Sequence, residues 1–197
     1  MLSPDSKPYD AKKKWDGIHS KADPSVVPDP CHVLKTYGHL MPQTGLALDL
    51  ACGMGGNAMF LAQHGFKTTA IDISSVAIDA VQGRQHPLID ARCEFLSAAS
   101  LEKAAFNIIV VSNYLDRGLC GAIADALVPD GLLFYQTFVQ DKANQESGPK
   151  NPEYLLESNE LLTLFQKLKV LVFSDQGSQG DIDRGFRNQS YLVAQKE

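Results

Sequence analysis

Short apolar strands and helical segments alternate from residue 46 onward, and this alternation constrains the fold more than any other feature of the chain. The segment 106–111, Phe-Asn-Ile-Ile-Val-Val, is almost wholly apolar, which is typical of a parallel strand buried on both faces. The alternation predicts an α/β fold in which helices cover both faces of a doubly wound, mostly parallel sheet of seven strands. The strands are predicted at 46–50, 67–72, 92–96, 106–111, 132–138, 170–173 and 190–194.

Helices are predicted between these strands from apolar residues at helical spacing. Ser74 or Ser75 is expected to cap the N-terminus of the second of them, because serine is a favoured N-cap. The predicted helices begin near 58, 75, 119 and 157, and the last of them runs to 168.

Composition limits the class of protein. A net charge of −5 and a pI near 5.5 argue against a nucleic-acid partner, which usually requires a basic face. Four widely spaced cysteines favour a reduced, cytoplasmic compartment and predict no metal cluster. The sequence also predicts no membrane span, and it is compatible with a monomer or a homodimer.

The first predicted strand runs directly into a glycine-rich turn, Cys52-Gly-Met-Gly-Gly56, and the next strand ends at Asp72. Glycines at such a turn let backbone N–H groups approach a ligand. A carboxylate at the tip of the following strand can bind the two hydroxyls of a ribose. Together they predict a nucleoside-containing cofactor, bound by a core at 45–197 and covered by a helical leader or lid at 1–44, within one domain of residues 1–197.

The glycines alone leave the cofactor open, because Gly53-x-Gly55-x-x-Ala58 also fits the dinucleotide fingerprint. A nicotinamide-dependent reductase is therefore one alternative. Asp49 argues against it, since that position of a nicotinamide-binding strand normally holds a small apolar residue. A non-catalytic cofactor-binding protein is a second alternative.

Three motifs carry a family resemblance: Leu48-Asp-Leu-Ala-Cys-Gly-Met-Gly-Gly56, Ala70-Ile-Asp-Ile-Ser74 and Leu127-Val-Pro-Asp-Gly-Leu-Leu133. They resemble the class I S-adenosylmethionine-dependent methyltransferases. Trp15-Asp16 and Gln63-His-Gly-Phe66 look most like the small tellurite-resistance group within that class. The resemblance implies a Rossmann-like fold and methyl transfer from S-adenosylmethionine to a small-molecule acceptor by in-line displacement.

The resemblance also implies residue roles. Asp49 would orient the amino end of the cofactor, Asp72 would bind its ribose and Ile73 would pack on its adenine. Asn113 and Tyr114 would line the wall beside the transferred methyl group and are the candidate catalytic residues. The full predicted cofactor set is Asp49, Ala51, Gly53, Gly55, Asn57, Asp72, Ile73, Ser97 and Asn113.

One position departs from the family pattern. The acid that often binds the adenine amino group is replaced here by Ala99, so that Ser97 or a backbone carbonyl would have to substitute. The acceptor side has no motif of its own, since methyl transfer depends on positioning the nucleophile and needs a base only where the acceptor loses a proton. Candidate substrate residues are Trp15, Tyr114, Arg117, Tyr154 and Arg187.

Overall fold

The computed structural model describes residues 6–197, and all the strands it describes there belong to one seven-stranded sheet. Their order across the sheet is β3-β2-β1-β4-β5-β7-β6. The strands are β1 (Gly45–Leu50), β2 (Phe66–Asp72), β3 (Ile89–Cys93), β4 (Phe106–Ser112), β5 (Leu127–Phe138), β6 (Lys169–Ser174) and β7 (Gln189–Gln195). The first five strands pair in parallel, whereas β7 is antiparallel to both β5 and β6.

The strand order reverses between β1 and β4. In open parallel sheets, ligands bind beyond the carboxyl ends of the strands at such a reversal. The turn after β1, the tip of β2 and the end of β4 all lie at this edge. Since β7 runs the other way, its first residue, Gln189, also lies there, paired with Phe138 at the end of β5.

Helices cover both faces of the sheet. They are α1 (Ser6–His19), α2 (His32–Tyr37), α3 (Gly56–Gln63), α4 (Ser75–Gly83), α5 (Cys120–Ala126) and α6 (Glu160–Leu164). One core cluster packs Leu48, Leu50 and Ile109 against residues of α5 and α6. A second cluster on the opposite face packs Ala47 and Ile108 against α2 and α3. The predicted doubly wound, Rossmann-like architecture is therefore confirmed.

Three element boundaries differ clearly from the sequence prediction. Strand β5 begins at Leu127 and not at 132. The third strand spans Ile89–Cys93 and not 92–96, because Thr68 pairs with Ile89 and the side chain of Phe95 is 59% exposed. Helix α6 is limited to Glu160–Leu164 within the predicted segment 157–168, and its Asn159 N-cap adopts a left-handed conformation. The sequence thus places the third strand three residues too late and extends the last helix into flanking apolar residues.

None of the helices described within residues 6–197 combines the length and the apolar character needed to cross a membrane.

Candidate functional site

The turn after β1 has the backbone conformation expected of a ligand-binding glycine loop. Gly53 and Gly55 have φ angles of +50° and +77°, in the left-handed region that glycine adopts most easily. Ala51 has a φ of +55° although it carries a Cβ. A Cβ on Gly55 would also lie 2.7 Å from the side chain of Val81 on α4. The loop is thus tight, and it is closed by a hydrogen bond of 3.0 Å from the N–H of Gly55 to the carbonyl of Cys52.

Asp72 joins this loop to the tip of β2. One of its carboxylate oxygens accepts a hydrogen bond of 2.8 Å from the N–H of Gly53, and the other accepts one of 2.8 Å from the N–H of Ser74. A carboxylate has about four acceptor positions, so each oxygen keeps one for a further donor. The two residues that the sequence predicts to share a site are in direct contact, and the free acceptor positions suit a pair of ribose hydroxyls.

Asp49 does not face the cleft. Its side chain is fully buried behind the loop, where the N–H of Ala58 donates to it at 2.9 Å and the side-chain amide of Asn57 donates at 3.3 Å. Desolvation raises the pKa of this carboxyl to about 7. The prediction that Asp49 orients the amino end of the cofactor stays a prediction. Asp49 binds the backbone N–H of Ala58, which has no partner within the first turn of α3, and the side chain of Asn57, and so fixes the loop from behind.

Asn57 is the junction between the loop, the sheet and the leader. Besides its bond to Asp49, its amide nitrogen donates to the hydroxyl of Ser112 at the end of β4, at 3.0 Å. Its amide oxygen accepts from the N–H of Cys31 at 2.8 Å. The side chain is 6% exposed, so Asn57 supports the site from beneath.

The leader covers the glycine loop. The ring of His19, at the end of α1, lies close to Gly53: a Cβ added to that glycine would be 3.3 Å from the ring. Arg84 on α4 donates to the carbonyl of Met54 in the loop and, at 3.0 Å, to the carbonyl of Val26 in the leader. Sequence reasoning singled out neither Arg84 nor a bond of this kind, because its acceptors are backbone carbonyls that no local pattern marks.

Helix α1 is anchored to the N-terminus of α4. The carboxylate of Asp16 accepts from the hydroxyl of Ser74 at 2.7 Å and forms an ion pair with Lys12. Lys12 also donates to the hydroxyl of Ser75 at 2.7 Å. The hydroxyl of Ser74 accepts from the N–H of Ala77 at 3.3 Å, so Ser74 is the N-cap. These contacts hold the leader beside Asp72.

On the other side of the cleft, Asn113 follows β4 with a φ of +56°. Its N–H donates to the carbonyl of Gln136 at 2.9 Å, and its side-chain oxygen accepts from Gln189 at 2.7 Å. The next residue, Tyr114, is partly buried. Burial, followed by the negative charges of Asp116 and Asp72, raises the pKa of its phenol above the ordinary value. The Tyr114 hydroxyl therefore stays protonated at neutral pH and has a proton to donate.

Two of the predicted substrate residues, Trp15 and Tyr154, lie on either side of one ammonium group. The Lys14 nitrogen is 5.6 Å from the centroid of the Trp15 ring and 5.7 Å from that of Tyr154. Both rings are partly exposed, at 38% and 47%. These cation–π contacts bring α1 next to the connection after β5.

The two predicted substrate arginines are engaged elsewhere. Arg117 forms an ion pair of 2.6 Å with Glu160 and donates to two backbone carbonyls of the connection before α6. Arg187 donates to five backbone carbonyls within the β6–β7 connection. Their guanidinium groups hold loops together, and the expectation that they bind an anionic substrate is not supported by this geometry.

The predicted adenine side of the cleft lies beyond β2 and β3. Ile73 is partly buried, and its carbonyl accepts from the thiol of Cys93 at 3.4 Å. Ser97 precedes a short 3-10 turn that contains Ala99, and its backbone N–H and carbonyl both bond to the hydroxyl of Ser100. The Ser97–Ser100 contact fixes the turn at the position of Ala99, where class I methyltransferases often have an acidic residue.

The match to known protein families agrees with this geometry. Residues 47–131 match the family model described as "Methyltransferase domain". The match covers less than half of the chain. The matched segment extends from β1 to the turn inside β5 and contains the glycine loop, Asp72 and Asn113. The nicotinamide-dependent reductase is thereby set aside. A search of curated proteins found no significant match.

Solved structures show the same fold at low identity. A SAM-dependent methyltransferase from Aquifex aeolicus is 13% identical, with a TM-score of 0.66 over 91% of this chain and 97% of its own. A TehB-like SAM-dependent methyltransferase from Corynebacterium glutamicum is 15% identical, with a TM-score of 0.63 over 98% and 99%. TehB from Haemophilus influenzae is 17% identical, with a TM-score of 0.64 over 84% and 61%.

These likenesses establish the class I methyltransferase fold. Together with the matched segment at 47–131, they support S-adenosylmethionine-dependent methyl transfer.

The contact between the leader and the loop can be tested at Gly56. A Cβ there would lie 2.7 Å and 2.8 Å from the backbone carbonyl oxygens of Pro28 and Asp29. Gly56→Ala is therefore expected to displace the leader and lower the free energy of unfolding by about 1–3 kcal/mol, the usual cost of overpacking. Urea denaturation measures the change. Gly121→Ala, whose Cβ would meet no atom within 4 Å, is the control. Equal stability of the two variants would contradict the contact.

Proposed function

We propose that the domain spans the whole chain and transfers the methyl group of S-adenosylmethionine to a small molecule held between the leader and the end of β4. Bound S-adenosylmethionine supplies an electrophilic methyl group. The observation that carries the proposal is the bond between the Gly53 N–H and the Asp72 carboxylate. It places a carboxylate with free acceptor positions directly beside the glycine loop.

In this proposal some residues bind the methyl donor, and others support the glycine loop. Asp72 binds the ribose hydroxyls, and the loop at Ala51, Gly53 and Gly55 packs against the rest of the nucleoside and methionine. Asp49 and Asn57 hold that loop from behind. Ile73 packs on the adenine, and the Ser97 segment bounds it.

The acceptor side is formed by the end of β4 and the leader. Asn113 and Tyr114 provide hydrogen-bond donors there. Aromatic rings are provided by Trp15 and His19 of the leader and by the partly exposed Tyr154. The leader contacts both the glycine loop and the connection after β5, so it would hold the acceptor beside the methyl group. Positioning of this kind can supply most of the acceleration of an in-line displacement.

We further propose that the protein acts as a TehB-like methyltransferase and works in the cytoplasm. Two of the similar structures carry the TehB name, and the sequence resembles the same group. All four cysteines are free in the structure, as a reducing compartment requires.

Isothermal titration calorimetry with S-adenosylmethionine and S-adenosylhomocysteine tests donor binding. We expect dissociation constants in the micromolar range and a rise in the melting temperature at saturating ligand. Absence of binding by both ligands at millimolar concentration would overturn the proposal.

A screen of small acceptors, with release of S-adenosylhomocysteine as the readout, tests catalysis separately. Carboxylates, phenols, thiols, amines and metalloid oxyanions cover the chemistries that the cleft could hold. Turnover of one class that disappears in Tyr114→Ala would support the proposed acceptor side. Donor binding without turnover of any acceptor would instead favour the non-catalytic alternative.

A further inference from the structure

A continuous chain of side-chain amides leads from the leader to the end of β4. The N–H of Val33, in α2, donates to the side-chain oxygen of Gln136 at 2.9 Å. The side-chain nitrogen of Gln136 donates to the oxygen of Gln189 at 2.6 Å. The nitrogen of Gln189 then donates to the side-chain oxygen of Asn113 at 2.7 Å. Three amides therefore bond in series and end in the candidate acceptor cleft.

The first bond fixes the polarity of the whole series. A backbone N–H can only donate, whereas a side-chain amide can present either its oxygen or its nitrogen. Since Val33 donates, Gln136 must accept through its oxygen and donate through its nitrogen. Gln189 must therefore accept through its oxygen and donate through its nitrogen. Asn113 must in turn accept through its side-chain oxygen. The NH2 group of Asn113 is left to donate outside the series.

The end of the series is held firmly although Asn113 is exposed. Gln136 is 5% exposed and also receives the backbone N–H of Asn113 on its own carbonyl, at 2.9 Å. One residue thus fixes both the backbone and, through Gln189, the side chain of Asn113. The left-handed φ of Asn113, +56°, belongs to this arrangement, because asparagine tolerates that conformation better than most residues.

We propose that Gln136 and Gln189 are positioning residues that hold Asn113 as a fixed hydrogen-bond donor toward the methyl acceptor. The acceptor substrate would then present a lone pair on oxygen to Asn113, as a carboxylate or a phenolate does, in preference to a cationic amine. This inference deepens the proposed function and rests on it for the identity of the cleft. The polarity of the series can be measured without any methyl donor.

The variant Gln189→Glu reverses the polarity of the last bond. A carboxylate cannot donate, so it would accept from Gln136 and from the NH2 group of Asn113, and the Asn113 amide would turn its oxygen to the cleft. Proton exchange of the Asn113 NH2 group with water, measured by NMR and assigned by its loss in Asn113→Asp, reports this change. We expect fast exchange in the native protein and at least tenfold slower exchange in the variant. Equally slow exchange in both proteins would overturn the proposal.

Acetate serves as a probe of the donor group, and propylamine as its cationic counterpart. With S-adenosylhomocysteine present, acetate is expected to shift the Asn113 NH2 signal of the native protein and to bind about tenfold more weakly to Gln189→Glu. Gln195→Glu is the matched control, because it adds the same charge to the same strand and lies outside the series. A stronger response to propylamine than to acetate in the native protein would overturn the assigned class of acceptor.

Calorimetry separates this proposal from the proposed function. S-adenosylhomocysteine should bind Gln189→Glu within twofold of the native value, since Gln189 is assigned no contact with the donor. Failure of the native protein to bind S-adenosylhomocysteine would overturn the function while leaving the exchange result meaningful. If Gln189→Glu does not fold, fast exchange of Asn113 in the native protein still supports the polarity, and slow exchange still overturns it.

Discussion

Asp72→Asn is expected to weaken the binding of S-adenosylhomocysteine by about 100-fold. The substitution removes the charge, and it leaves one oxygen where two now accept the N–H groups of Gly53 and Ser74. The new NH2 group would face one of those donors and could no longer bind a ribose hydroxyl. Hydrogen bonds to charged groups contribute about 1.5–3 kcal/mol each, and a factor of 100 corresponds to about 2.7 kcal/mol.

Calorimetry well below the melting temperature measures this effect without interference from unfolding. Asp90→Asn on the neighbouring strand β3 is the matched control, because Asp90 lies on the surface and its ion pair is with Arg92 of the same strand. It should leave the dissociation constant within twofold of the native value. An unchanged dissociation constant in Asp72→Asn would remove Asp72 from the ribose site, and the loop contact would then be structural alone.

The meeting of Gly53 and Asp72 could be predicted from the sequence because it follows from topology. The carboxyl ends of adjacent parallel strands lie at one edge, so a turn after the first strand and an acid at the end of the second must converge. No side-chain detail is needed for this step. The same argument places Asn113, which follows the next strand on the other side of β1.

The direction of the Asp49 carboxylate could not be predicted in the same way. A carboxylate within an apolar strand must be bound to something, and the sequence leaves open whether the partner is a ligand or the protein. The structure supplies the N–H of Ala58 and the amide of Asn57. The choice depends on the packing of α3 against β1, which no local pattern specifies.

The roles of Arg117 and Arg187 could not be predicted from the sequence for a related reason. Most of their partners are backbone carbonyls in irregular loops, and every residue carries a carbonyl. Only the path of the loops determines which carbonyls surround a guanidinium group. An arginine near a predicted cleft is thus weak evidence for an anion site until its surroundings are known.

Asp49→Asn is expected to change the dependence of stability on pH. Because burial raises the pKa of the native carboxyl to about 7, while an unfolded aspartate titrates near pH 3.9, the folded state holds a proton that the unfolded state has released. Between these values the native protein loses stability as the pH rises. The loss is complete above pH 7, and a difference of about 3 units corresponds to roughly 4 kcal/mol.

The variant carries no titrating group at this position and should not show this loss. Urea denaturation of both proteins at pH 5 and at pH 8 measures it, and the free energy of unfolding of the native protein relative to the variant should fall by roughly 2 kcal/mol or more across that interval. The mismatch that asparagine creates beside Ala58 and Asn57 costs the same at both pH values and cancels from the comparison. A relative stability that rises with pH would mean that the hydrogen bonds from Ala58 and Asn57 outweigh desolvation and hold the pKa of Asp49 below its ordinary value. The buried acid would then stabilise the loop as an anion throughout the physiological range.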